Sequence, residues 1–146
     1  MTGKGWFLTI YILFAVFLGS VTFPVVQYLT PYKSAWPLSQ AVKTHLPAGA
    51  TLYQYGISLY GIDFYTGMRT PIVDDIGEVR YGSEQLPREE RERYFLSSAS
   101  FFSLLREMEG IYCVTKGSEK MAILKKEVPA LTVLWHNDVY YLVKLK

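Results

Sequence analysis

SASFFSLLREMEGIYCVTKGSEKMAILKKE, residues 98–127, decides how the chain folds. Phe101, Leu104, Leu105 and Met108 recur at i, i+3, i+4 and i+7, which places four apolar side chains on one face of a helix. Ser98 stands at the N-cap position of that helix and Gly110 closes it. Ile111–Thr115 is an apolar run of strand length, and Gly117-Ser118 leads into a second helix, residues 119–127, stopped before Pro129. Helix, strand and helix in immediate succession point to an α/β layer structure.

Downstream, the chain ends in two strand-like runs, Leu131–His136 and Val139–Leu145, separated by Asn137-Asp138. That spacing predicts a β-hairpin. Upstream, Pro37 opens a helix with the stripe Leu38, Ala41, Val42 and His45, ended by Pro47. Thr51–Tyr55 reads as a strand, Ser58–Tyr65 as a turn and short helix, Pro71–Val73 as a second strand and Glu78–Tyr81 as a third. Arg88 to Arg93, REERER, is a charged helical turn with a solvated face. The expected architecture is a small layered α/β domain with a mixed sheet and a C-terminal β-hairpin.

Residues 1–32 are a different material. They carry one charged side chain, Lys4, whereas residues 33–146 carry 14 basic and 13 acidic ones. Between Lys4 and Lys33 lie 28 uncharged residues, and the strongest part, Trp6–Phe23, makes about 27 Å of helix at roughly 1.5 Å per residue. That nearly spans a hydrocarbon core of about 30 Å, and Val25 and Val26 extend it beyond Pro24. Trp6, Tyr28 and Tyr32 suit the two aromatic belts. A cleaved signal peptide is the competing reading, but Gly19-Ser20-Val21-Thr22 is a poor cleavage site and its basic region would hold a single lysine. The chain therefore divides into a transmembrane anchor, residues 1–32, with the lipid bilayer as its partner, and a folded domain, residues 33–146. Lys33 and Lys43 offset Lys4, so charge alone does not orient the anchor.

A formal net charge of +2 argues against nucleic-acid binding. The single cysteine, Cys113, excludes an internal disulfide, and no metal-ligand spacing or cofactor motif is present. Cys113 falls in a buried strand, and no sequence rule brings His136 to it. The densest polar stretch is residues 64–85, FYTGMRTPIVDDIGEVRYGSEQ. Asp74, Asp75 and Glu78 are its candidate acid–base or cation-binding groups. Asp74 and Asp75 converge only if the chain turns there, which Gly77 permits; otherwise they are strand-end carboxylates facing water or pairing with Arg69 or Arg80. Tyr53, Tyr55, Tyr65 and Tyr81 read as sheet and core residues, with stacking on sugar rings as the alternative.

The order of pieces has a family likeness. A hydrophobic helix precedes LPAGA (46–50), a tyrosine-rich strand, FYTGMRTPIV (64–73), GEVRYG (77–82), an aromatic helix and VYYLVKLK (139–146). This resembles the C-terminal end of bacterial glycosyltransferases of the aminoarabinose-transferase and protein-O-mannosyltransferase type. The resemblance implies a small α/β domain on the extracytoplasmic side of the inner membrane, behind the last membrane helix of an enzyme that uses a polyprenyl-phosphate-linked sugar. The family's catalytic acids lie in loops of a multi-helix membrane domain, and only Met1 to Lys4 precede Gly5 here, so no catalytic residue carries over. The expectation is an accessory or substrate-shaping domain, inactive alone, needing no cofactor, with a multi-helix membrane domain or protein and a lipid-linked sugar as partners. Tyr65, Arg69, Asp74, Asp75 and Glu78 are its expected substrate- or partner-binding residues. The alternative is a membrane-anchored, non-enzymatic module that docks onto a separate membrane protein. An independent hydrolase built on the three acids lacks a positioned histidine.

Overall fold

The computed structural model describes residues 3–74 and 77–145, of which Gly3, Lys4, Pro31, Tyr32, Lys33 and Glu78 are described by backbone alone. The chain forms two compact units, Met1–Ser34 and Ala35–Lys146.

The first unit is one helix, α1, Gly3–Lys33. Its stretch Gly5–Thr30 is long and apolar enough to cross a membrane. Pro24 lacks the N–H that a helix interior needs, yet the helix runs on through it. Three of the hydroxyls in the apolar stretch are paired within the helix. Thr9 donates to the Gly5 carbonyl at 3.0 Å, Ser20 to Val16 at 2.8 Å and Thr30 to Val26 at 2.7 Å. Such bonds to the preceding turn are what let hydroxyl side chains sit in hydrocarbon.

The second unit is a six-stranded mixed sheet in the order β3-β2-β1-β4-β6-β5. Its strands are β1 Leu52–Tyr55, β2 Ile72–Val73, β3 Phe95–Leu96, β4 Tyr112–Lys116, β5 Thr132–His136 and β6 Tyr140–Lys144. β1 pairs in parallel with β2 and β4, and β2 in parallel with β3, while β6 runs antiparallel between β4 and β5. The hairpin forms where expected: the Asn137 side-chain oxygen accepts the N–H groups of Val139 and Tyr140 at 2.9 and 2.7 Å, and so shapes the turn.

Period-two alternation sorts the strand residues into two cores. Leu52, Tyr112, Val114, Tyr140 and Leu142 face α2, Trp36–His45, and α3, Tyr60–Thr66. Tyr53, Tyr55, Cys113, Val143 and Leu145 face α6, Ser98–Glu107, and α7, Gly117–Glu127. β1 is buried at every position, as a central strand covered on both faces must be. Phe101 and Leu105 are buried on α6 as the periodicity predicts.

Four local readings need correction. Residues 78–81 are not a strand: a 3-10 turn, Gly77–Val79, runs into α4, Arg80–Glu84. The free edge of β2 goes instead to Phe95–Leu96, which follows α5, Arg88–Tyr94. Ser97, not Ser98, is the N-cap of α6, accepting the Ser100 N–H at 3.1 Å. His45 lies in the exposed last turn of α2, where a basic residue suits the helix dipole, and not in the buried stripe, whose fourth place Ser39 takes by donating its hydroxyl to the Ala35 carbonyl at 2.8 Å. Tyr53 and Tyr55 are core residues, but Tyr81 is 78% exposed and Tyr65 lies at the surface.

Candidate functional site

In an open sheet of parallel strands, the clefts outside the carboxyl ends are where loops can gather polar groups. Asp74 follows β2 directly, and its backbone takes the left-handed conformation, φ 61°. Aspartate tolerates that region better than most residues, and the turn aims its carboxylate at the start of α6. There the Ser98 backbone N–H donates to one carboxylate oxygen at 2.8 Å and the Ser98 hydroxyl donates to the other. The Asp74 N–H in turn donates to the Leu96 carbonyl at 3.1 Å. Asp74 is therefore a second cap for α6, placed where a negative charge meets the positive end of the helix. Its partner is a serine and not Arg69 or Arg80. A cleft of about 460 Å³ opens beside it, lined by Arg80, Arg91, Glu92 and Ser97 as well as Asp74. Two guanidinium groups beside two carboxylates can take up a polar or anionic group, which the arginine forks would bind in two-point fashion.

A second cluster lies at the other end of β2. Gln54, 1% exposed in the middle of β1, donates its amide to Thr70 Oγ1 at 2.6 Å and accepts the Leu59 N–H at 2.6 Å. Thr70 donates onward to Asp63 on α3. Burial pushes the Asp63 carboxyl above its ordinary value, against the opposing pull of the Thr70 bonds and the Arg69 charge. The Arg69 guanidinium lies 3.8 Å from the centre of the Tyr94 ring, a cation–π contact. These groups line a cavity of about 150 Å³ with Tyr60, Ile72 and Leu86.

No family model matches the sequence, and no curated protein matches it. Two solved structures do match in fold: crystal structures of ArnT from Cupriavidus metallidurans, one bound to undecaprenyl phosphate and one in the apo state. Each aligns with a TM-score of 0.61 at 15% identity, over 77% of this chain and 20% of ArnT. The chain has an ArnT-like fold. The resemblance read from the sequence is thus matched by an independent structural likeness, and the chain spans about one fifth of ArnT's length.

Within this ArnT-like fold the five expected residues are not one site. Tyr65 is on α3, its ring edge-to-face with Phe64 at 5.2 Å. Arg69 lies in the loop before β2 and Asp74 at the end of β2, so the strand separates them. Asp75 lies outside the described residues, and of Glu78 only the backbone, in the 3-10 turn, is described. Cys113 is fully buried, its thiol pushed well above its ordinary value, and His136 stacks on Tyr141 at 5.8 Å. Among the described residues no three potential metal ligands come together. The sequence reading missed Gln54, Thr70 and Asp63. One signal was available: a glutamine inside the apolar run LYQY must find buried partners.

Proposed function

We propose that the chain is the membrane-anchored accessory domain of a glycosyltransferase that uses a polyprenyl-phosphate-linked sugar, shaping the substrate site of a multi-helix membrane domain without catalysing alone. The observation that carries this reading is the ArnT-like fold directly following a helix of membrane-spanning length. ArnT has been crystallised with undecaprenyl phosphate, a lipid of the class such donors are built on. On this reading α1 anchors the chain in the inner membrane, the folded unit stands on the extracytoplasmic side, and the expected residues Tyr65, Arg69, Asp74, Asp75 and Glu78 serve binding of the partner or the lipid-linked sugar. An arginine fork suits a phosphate, and a tyrosine offers a sugar ring an apolar face with a hydroxyl tip.

The test is sugar transfer in proteoliposomes from a polyprenyl-phosphate sugar to a lipid acceptor. The full chain alone should transfer nothing, and addition of a polytopic membrane partner should give turnover. Arg69→Ala and Asp74→Ala should lower that turnover more than Lys125→Ala, a change on an exposed face of α7. Assembly with the partner but no turnover would favour the binding-module alternative. Transfer by the chain alone, lost in Asp74→Asn, would overturn the proposal and move the active site into this domain.

A further inference from the structure

Helix α3 leaves its aromatic rings outside. Tyr60 is 51% exposed, Phe64 82% and Tyr65 38%, while Ile62 is fully buried in the core against α2. Phe64 and Tyr65 touch edge-to-face, so the rings form a patch and are not scattered singly. The one ionisable carboxylate of the helix, Asp63, is turned back to accept the Thr70 hydroxyl.

A glycine sets where this patch lies. A Cβ on Gly61 would come within 2.8 Å of the Ala35 Cβ and 3.8 Å of the Tyr65 ring, so only glycine lets α3 pack this closely. Ala35 is the first residue of the folded unit, and the apolar stretch of α1 ends at Thr30, five residues earlier. Five residues reach at most about 18 Å even when fully extended, at about 3.6 Å each. The path is shorter than that, because α1 stays helical through Lys33 at about 1.5 Å per residue. The headgroup layer adds about 5–8 Å of polar depth on each side of the hydrocarbon. Chain connectivity alone therefore holds the Ala35 end of the unit close to the lipid surface. Trp36, the next residue, is 53% exposed.

We propose that the ring patch of α3, Tyr60, Phe64 and Tyr65, seats in the headgroup layer of the bilayer that holds α1, and so holds the folded unit against the membrane surface. This rests on α1 being a membrane anchor. The composition fits the occupant: tyrosine presents an apolar body and a hydroxyl tip, the combination that collects at membrane–water interfaces. A lipid surface is also the one partner that a covalent anchor guarantees at this distance.

The experiment uses the full chain with Phe64→Cys carrying a bimane fluorophore, reconstituted in phosphatidylcholine–phosphatidylglycerol vesicles with and without a nitroxide lipid labelled near its headgroup. Cys113 is 0% exposed and does not compete for the label. Lys125→Cys, exposed on α7 across the sheet from α3, is the reference position. The label at 64 should shift to the blue on reconstitution and lose emission to the nitroxide, while the label at 125 should do neither. A chain that floats with the vesicles but shows no quenching at 64 overturns this inference and leaves the anchor standing. A blue shift without nitroxide quenching means protein cover by a second copy, and overturns it as well. A chain that fails to float overturns both readings.

Discussion

Asp74 and Ser98, 24 residues apart in sequence, are joined by two hydrogen bonds that fasten the end of β2 to the first turn of α6. Two opposing terms act at Asp74, the cap it provides and the left-handed backbone it must adopt. Asp74→Ala removes the cap and keeps the strained backbone, and should cost about 1–2 kcal/mol. Asp74→Gly removes the cap but relieves the backbone, so it should cost less than the alanine variant. Urea unfolding of both variants checks the order; an alanine variant as stable as the glycine one would mean the backbone is not under strain.

Gln54 supplies a donor to Thr70 and an acceptor to Leu59 from inside β1. Gln54→Leu keeps the volume but takes the acceptor from the part-buried Leu59 N–H and leaves Thr70 with its bond to Asp63 alone. The expected loss is about 1–3 kcal/mol for the N–H left unpaired. Gln54→Glu, which keeps the acceptor and brings a second carboxylate towards Asp63, should be worse still at neutral pH and recover in acid.

Asp63 gives a pH dependence of defined sign. Its folded-state pKa is raised above the ordinary 3.8 by burial, so the fold favours the protonated form. The stability this group adds is present in full below its unfolded pKa and is lost as pH rises through the raised folded value. Asp63→Asn removes the titration and can still accept the Thr70 hydroxyl. The wild-type chain should therefore lose stability relative to the variant as pH climbs from about 4 towards neutrality. Denaturant midpoints for the two chains across that range decide it, and a constant difference would contradict the assignment.

The aromatic core has its own test. Phe101 is fully buried, 5.2 Å from the Tyr53 ring and 6.0 Å from the Tyr55 ring, and Leu105 lies one helical turn further on. Leu105→Ala should cost about 2–5 kcal/mol and Phe101→Ala about 3–5 kcal/mol, through lost transfer energy and the cavity left behind. Both should be accompanied by an earlier thermal transition in circular dichroism of the purified chain.

Cys113 reports global unfolding. Its thiol is buried between α6, α7 and the sheet, and burial disfavours the thiolate that reacts. A maleimide reagent should leave the folded chain unmodified and label it in step with the loss of secondary structure in denaturant. Rapid labelling of the native chain would place this strand at the surface.

Much of the architecture was legible because it is written in local periodicity. The stripe through Phe101 and Leu105 marks a helix face whatever lies opposite it, and the run Ile111–Thr115 marks a buried strand for the same reason. The apolar stretch 5–30, the hairpin at Asn137 and the helix from Trp36 are equally local. The candidate clusters were legible in part: Arg69 and Asp74 stood out as charges in a polar stretch, but their partners, Tyr94 and Ser98, are 25 and 24 residues away.

Most of the helices, the longer strands and the long apolar stretch are encoded locally, since each follows from the spacing of side chains along one backbone. Only the tertiary structure decided what pairs with what. A two-residue strand such as Phe95–Leu96 exists because β2 offers it an open edge, and residues 78–81, without such an edge, coil into helical turns instead. The parallel register of β1 and β2, which sets Gln54 opposite Ile72, likewise brings Gln54, Thr70 and Asp63 together. Hydrogen bonds between distant segments carry no periodic trace in the chain, and it is they that fixed the polar clusters.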